Sequence, residues 1–177
     1  IKNAKEDVLV WPETAFPDIY PYGLESFFYG IKLHSFQILG TFLTQDGKNF
    51  NSAVLIDNNL FERGFYNKNH LVLFGETFPF QSFLGRFIPF IKGFDGVDRG
   101  EEHNPLDFDS VKIGTSICFE SLFGNEIRQF VVKDADILVN ISNDGWYLRT
   151  SAPYQHFSFN IFRAIENRRY LVRSANT

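Results

Sequence analysis

The chain has 177 residues, with 22 Phe, 7 Tyr and 2 Trp, and it is 44% hydrophobic and 21% charged. This composition is typical of one folded domain with a buried core, and it excludes disordered, collagen-like and coiled-coil proteins. The net charge of −4, with no cluster of Lys and Arg, argues against nucleic acid binding. No apolar run approaches the roughly 18 to 20 residues of a membrane helix. Because the sequence starts at Ile1 and contains no Met, we expect a fragment of a longer protein.

The first half of the chain predicts a meander of β-strands. Runs of apolar and β-branched residues predict three strands, at residues 8–11, 35–43 and 52–56. Pro12 ends the first strand and places Glu13 in the loop that follows. Residues 57–59 (DNN) are a hairpin signal that leads into a further strand through Phe65.

The second half of the chain alternates between strand and helix patterns. The predicted order is strand 111–117, helix 124–133, strand 136–142, helix 152–168 and strand 170–175. This alternation predicts the α/β class. Cys118 directly follows the first of these strands and precedes a helix.

Cys118 is the only cysteine, so it can form neither an internal disulfide nor half of a paired-cysteine zinc site. Backbone N–H groups and the dipole of a following helix favour an anion at such a strand end, which predicts a reactive thiolate. The alternative is a small buried residue without chemistry. The usual partner base is histidine, but no spacing singles out one of His34, His70, His103 and His156.

Carboxylates and a lysine at other strand ends offer the missing groups. Glu13 is the best candidate for the base, because burial at a strand end raises the pKa of a carboxylate towards the range that a base needs. Lys68 would supply positive charge to an oxyanion and to the thiolate. Glu76 and Glu120 would orient Lys68 or hold a second proton. Taken singly, each of these residues is more simply explained as an ordinary loop or surface residue.

Three segments carry these residues in the order Glu, Lys, Cys: WPETAFP at 11–17, YNKNHLVLFGE at 66–76 and ICFE at 117–120. They resemble the Glu-Lys-Cys triad of the nitrilase (carbon-nitrogen hydrolase) superfamily. The segments at 141–147 (ISNDGWY), 153–169 and 171–177 are similar, more narrowly, to the periplasmic domain of the bacterial apolipoprotein N-acyltransferases.

The resemblance implies a nitrilase-type α-β-β-α four-layer sandwich, incomplete at both ends. Residues 1–177 would be part of the catalytic domain, with the transmembrane part absent from this chain. The implied roles are general base for Glu13, oxyanion stabiliser for Lys68 and nucleophile for Cys118. Glu76 and Glu120 would be accessory carboxylates. We expect neither a metal nor a cofactor.

The implied function is transfer of a fatty acyl chain from a phospholipid to the N-terminal amino group of a diacylglyceryl-cysteine apolipoprotein, through a Cys thioester. Such a protein would lie in the bacterial inner membrane, with this domain facing the periplasm. Its partners would be the phospholipid donor, the apolipoprotein acceptor and the membrane surface. The alternatives are a soluble nitrilase-type amidase that acts on a small amide and a non-catalytic binding module.

The phenylalanine-rich stretch at 78–94 fits contact with lipid. Phe83, Phe87 and Phe90 would lie at the membrane surface and guard a lipid entrance, or would pack on the protein's own core. Trp146 is likewise either a core residue or part of a lid, and the resemblance favours the lid.

Overall fold

The computed structural model describes residues 7–73, 75–77, 86 and 96–176. Five strands from the first part of the chain form the first of its two sheets. The strands are β1 (Val8–Val10), β2 (Ile19–Tyr20), β3 (Phe36–Gln45), β4 (Lys48–Ile56) and β5 (Glu62–Asn67). Their order is β1-β3-β4-β5, with β2 paired to the far end of β3. β3, β4 and β5 are antiparallel, so the predicted meander and its hairpin at 57–59 are confirmed.

The second sheet contains β6 (Leu106–Phe108), β7 (Val111–Ile117), β8 (Ile137–Asn143) and β9 (Leu171–Asn176) in that order. β7, β8 and β9 are parallel, because helices carry the chain back between them. These helices are α2 (Gly124–Val132) and α3 (Ala152–Asn167), and α1 (Leu24–Phe27) lies in the first part of the chain. Two short 3₁₀ helices, Cys118–Leu122 and Asp144–Tyr147, follow β7 and β8.

The two faces of the first sheet pack against different parts of the protein, because successive side chains of a strand point to opposite faces. Ile38, Ala53 and Leu55 belong to the same buried cluster as residues of β7 and β8. The neighbouring Leu39 and Val54 pack with α1 and the loops around it. The apolar core therefore lies between the two sheets, with a smaller cluster outside the first sheet.

The predicted α/β class is confirmed, because two sheets pack face to face and the second alternates strands with helices. On the second sheet, Gly114 permits close packing of α2, since a Cβ there would lie 2.7 Å from the Cβ of Phe130. The first sheet has an outer face that points away from the second sheet. Among the described residues, the layer on that face contains only the four-residue α1 and loops. Among the described residues, no helix combines the length and apolarity needed to cross a bilayer.

Candidate active site

The three residues singled out from the sequence line one cavity of about 670 Å³. Glu13 lies three residues after β1, Lys68 directly follows β5 and Cys118 directly follows β7. The first two therefore come from one sheet and the third comes from the other. The described residues that line the rest of the cavity include Phe42, Asn51, Val72, Glu76, Val97, Asn143, Trp146 and Tyr147.

Glu13 is held by three hydrogen bonds although it lies in a loop, and the residue is only 5% exposed. Its Oε1 accepts hydrogen bonds from Lys68 Nζ at 3.1 Å and from Asn51 Nδ2 at 2.8 Å. Its Oε2 accepts the backbone N–H of Asn143 at 2.8 Å. Gly40 of β3 lets the loop approach, because a Cβ there would lie 2.6 Å from the Cα of Glu13.

Lys68 is 1% exposed, so its ammonium depends on protein partners instead of water. It donates to Glu76 Oε1 at 2.8 Å as well as to Glu13. Burial alone would lower the pKa of Lys68, but the negative charges of Glu13 and Glu76 outweigh burial and raise it. The lysine therefore keeps its positive charge in the cavity.

Asn51 of β4 is a site residue that the sequence reasoning missed. Its Nδ2 donates to Glu13 Oε1 and to Glu76 Oε1, both at 2.8 Å. Because Lys68 donates to the same two oxygens, the two carboxylates share two donors and can approach despite their like charge. Glu76 is also fixed through Oε2, which accepts the N–H of Val72 at 2.9 Å.

Cys118 lies at a sharp turn between β7 and the first 3₁₀ helix, and its backbone has a φ of +53°. This left-handed conformation is unfavourable for a residue with a Cβ. Burial and the charge of Glu13 raise the pKa of Cys118 to about 12, although Lys68 acts in the opposite direction. These effects favour the protonated thiol at neutral pH and not the thiolate expected from the sequence. α2 begins only at Gly124, six residues further on, whereas the effect of a helix dipole is confined to about the first turn.

A buried polar network holds the backbone carbonyl of Cys118. His156 Nε2 lies 2.9 Å from this oxygen, and Asn140 Nδ2 lies 3.3 Å from it. His156 Nδ1 lies 3.0 Å from Asp144 Oδ1, and Arg173 binds the other oxygen of that carboxylate. The turn that carries the thiol is thus tied to β8, β9 and α3.

Glu120 differs from Glu76 in its hydrogen-bond partners: it accepts from three backbone N–H groups and one hydroxyl, and it does not contact Lys68. Its Oε1 accepts the hydroxyl of Tyr66 at 2.9 Å and the N–H groups of Asn69 and His70 at 2.6 and 3.0 Å. Its Oε2 accepts the N–H of Ile117 at 2.7 Å. Burial raises the pKa of Glu120, although all of these donors lower it. Glu120 joins the segment after Lys68 to the strand before Cys118.

Trp146 lies at the edge of the cavity with 82% of its surface exposed. The other proposed lid residues, Phe83, Phe87 and Phe90, lie outside the described residues. Within the part of the chain that the structure describes, no three His, Cys, Asp or Glu side chains cluster so as to hold a metal ion.

Solved structures with the same fold include a carbon-nitrogen hydrolase and a nitrilase-superfamily protein, and this likeness confirms the predicted nitrilase-type fold. A carbon-nitrogen hydrolase from Helicobacter pylori superposes with a TM-score of 0.67 at 18% identity, over 97% of this chain and 61% of that one. Nit3 of Saccharomyces cerevisiae, a nitrilase-superfamily member, gives a TM-score of 0.65 at 16% identity. The match covers 97% of this chain and 62% of Nit3. At these identities the likeness concerns the fold alone.

Curated relatives share more of the sequence. An apolipoprotein N-acyltransferase of Bdellovibrio bacteriovorus is 37% identical over 200 residues, which cover 99% of this chain and 36% of the relative. An apolipoprotein N-acyltransferase of Geobacter metallireducens is 37% identical over 179 residues, which cover 97% of this chain and 34% of the relative. The chain thus spans about a third of the length of these relatives. The model of the carbon-nitrogen hydrolase family matches residues 32–177, and the chain therefore belongs to that family.

Proposed function

We propose that this chain is part of an enzyme that moves a fatty acyl chain from a phospholipid to the N-terminal amine of a diacylglyceryl-cysteine apolipoprotein. The observation that carries the proposal is the buried cluster of Glu13, Lys68 and Cys118 around one cavity. The relatives named apolipoprotein N-acyltransferase support the choice of substrates. On this proposal, residues 1–177 belong to a catalytic domain on the periplasmic side of the bacterial inner membrane, and membrane-spanning segments lie elsewhere in the protein.

The first half-reaction forms a thioester. Because the thiol is protonated at rest, Glu13 removes the S–H proton as Sγ of Cys118 attacks the ester carbonyl of the phospholipid. The ammonium of Lys68 stabilises the oxyanion, together with backbone N–H groups of the turn. When the intermediate collapses, the C–O bond breaks, and Glu13 returns the proton to the alcohol of the departing lysophospholipid.

The second half-reaction consumes the thioester. The amino group of the apolipoprotein attacks the thioester carbonyl, and Glu13 takes a proton from the attacking nitrogen. The C–S bond then breaks, and the proton passes to the sulfur, so that the enzyme returns to its starting state with an amide as product. Glu76 and Asn51 hold Glu13 and Lys68 in place through both steps.

The cavity suits an acyl chain better than a small polar amide. Phe42, Val72 and Val97 give it an apolar wall, and Trp146 and Tyr147 extend that wall towards the solvent. Burying methylene groups against such a wall contributes about 0.8 kcal/mol for each group. A soluble amidase would use the same Glu13, Lys68 and Cys118 with water as the acceptor, so the acceptor has to be tested directly.

The test is the intact mass of the full-length protein purified from membranes, before and after treatment with hydroxylamine, which cleaves thioesters. We expect an added mass of one acyl chain that hydroxylamine removes and that Cys118→Ser lacks. A lipopeptide with a diacylglyceryl-cysteine N-terminus should then discharge the thioester as an amide. Discharge to free fatty acid alone would favour the amidase-like alternative, and an adduct that persists in Cys118→Ser would reject the nucleophile.

A further inference from the structure

We propose that His156 is a positioning residue that holds the turn at Cys118 by donating a hydrogen bond from Nε2 to the Cys118 carbonyl oxygen. The proposal rests on the proposed function only through the assignment of Cys118 as the nucleophile. No spacing in the sequence favours His156 over the other three histidines.

The geometry fixes which atom donates. A carbonyl oxygen only accepts hydrogen bonds, so the 2.9 Å contact requires a proton on Nε2 of His156. The other ring nitrogen, Nδ1, lies 3.0 Å from Asp144 Oδ1 and 3.3 Å from an N–H group of Arg173. It donates to the carboxylate when the ring carries both protons and accepts from the guanidinium when it carries one, so the ring orientation is fixed in either state. That carboxylate is itself held by Ser142 Oγ at 2.8 Å and by Arg173. A carboxylate that orients a histidine is a recurrent way of fixing the ring at a reactive centre.

The turn at Cys118 needs this support because its backbone lies in the left-handed region. A non-glycine residue is strained in that conformation, which persists only where its surroundings fix it. Two other donors reach the same carbonyl, Asn140 Nδ2 and Ser121 Oγ, both at 3.3 Å. The bond from His156 is shorter than either, and His156 is itself buried.

The hydrogen bond also sets the direction of a second group. In a trans peptide, the C=O and N–H groups point in opposite directions, so a Cys118 carbonyl held towards α3 turns the Phe119 N–H away from α3. Hydrogen bonding to the carbonyl also strengthens the N–H of the same peptide unit as a donor. His156 therefore positions both the thiol and the N–H group of the residue that follows it, and acts through the backbone.

The test compares three variants of the full-length protein. His156→Phe keeps a ring of similar size but has no donor, whereas His156→Gln keeps an N–H donor near the position of Nε2. Asn160→Leu is the matched control: Asn160 is buried in the same helix, one turn further on, and its amide donates to the backbone of His156. Acylation of Cys118 is followed as the burst of nitrophenol from p-nitrophenyl butyrate, and thermal unfolding is measured in parallel.

We expect His156→Phe to lower the first-order rate of acylation about 100-fold with the half-saturating ester concentration unchanged, as misplacement of a reacting group does. His156→Gln should recover most of the rate, and Asn160→Leu should keep it. The proposal is overturned if His156→Phe acylates at the normal rate, or if all three variants lose rate in step with their thermal midpoints. It also fails if Cys118→Ser still gives the burst.

The ester separates this proposal from the proposed function. Transfer from phospholipid to a diacylglyceryl lipopeptide is measured on the same preparations. A wild-type protein that forms the butyryl thioester in a His156-dependent way, but transfers no acyl chain to the lipopeptide, would reject the proposed function and support the role of His156.

Discussion

Glu13 and Lys68 are 55 residues apart in sequence, yet Oε1 of the first lies 3.1 Å from Nζ of the second, with both side chains buried. Glu76 adds a second carboxylate at 2.8 Å from the same nitrogen. Two carboxylates and one ammonium leave an excess of negative charge beside Cys118. The charge balance thus favours a neutral thiol that is deprotonated during attack over a stored thiolate.

The first prediction concerns the pH dependence of Cys118. Burial and Glu13 raise its pKa from 9.0 to about 12, so the folded state holds a proton that an unfolded chain loses near pH 9. The folded state therefore binds more protons between pH 9 and about 12, and this contribution to stability falls as the pH rises through that range. Alkylation of Cys118 by iodoacetamide should stay slow at pH 9 and accelerate towards pH 12. A rate that levels off at or below pH 9 would contradict it.

Glu13→Gln supplies the matched variant for that titration. The substitution keeps the size of the side chain and removes its negative charge, so the pKa of Cys118 should fall and alkylation should begin at lower pH. Ester-driven acylation should nevertheless fall about 10²- to 10⁴-fold, because the general base is lost. An unchanged alkylation profile would show that Glu13 does not act on the thiol.

Gly40→Ala tests the fit between β3 and the loop that carries Glu13. The new Cβ would lie 2.6 Å from the Cα of Glu13, so the loop has to move. We expect a loss of about 1 to 3 kcal/mol in the free energy of unfolding and a fall of about 100-fold in acylation. Gly47→Ala is the control, since its Cβ meets nothing within 4 Å and only its positive φ is strained. It should cost stability but leave the acylation rate of the folded protein unchanged.

Glu120→Gln tests the buried carboxyl that joins the two segments. The substitution replaces one carboxylate oxygen, which accepts hydrogen bonds, by an NH₂ group that faces other donors. We expect the free energy of unfolding to fall by about 1 to 3 kcal/mol. Tyr66→Phe removes one of the four donors to Glu120 and leaves three, so it should lower the free energy of unfolding by only about 1 kcal/mol. Thermal and urea unfolding of both variants give the comparison. Equal losses would show that the hydroxyl of Tyr66, not the carboxyl, dominates.

Trp146→Ala tests whether the exposed ring serves the lipid substrate. The ring lies at the edge of the cavity, so its loss should weaken turnover of membrane phospholipid and spare acylation by the short butyrate ester. Tyr154 in α3 is 78% exposed and is not among the residues that line the cavity, so Tyr154→Ala is the control. Equal losses on both substrates would place Trp146 with the triad instead of a lid.

Much of this architecture could be predicted from the sequence because its strands and long helices carry regular patterns. The parallel strands β7 and β8 and the helices α2 and α3 all lie where the patterns predicted them. The elements that were not predicted have two to five residues, which is too short for a period to emerge. They are β2, α1, β6 and the two 3₁₀ helices.

The contacts of the candidate site were harder to predict, because they depend on strand pairing. Asn51 lies inside β4 and is indistinguishable in sequence from any polar strand residue, yet pairing brings it between Glu13 and Glu76. The raised pKa of Cys118 was missed for the same reason, since it arises from burial and from a charge that lies 105 residues earlier in the sequence.

Because Glu13 and Lys68 leave one sheet and Cys118 leaves the other, the spacing of the sheets sets the distance between base and nucleophile. Leu55 and Ile117, from opposite sheets, lie in the apolar layer that determines this spacing. Loss of a single methylene from that layer would shift the two halves of the site against each other while leaving the hydrogen bonds between strands intact. The acylation rate is thus a sensitive measure of core packing.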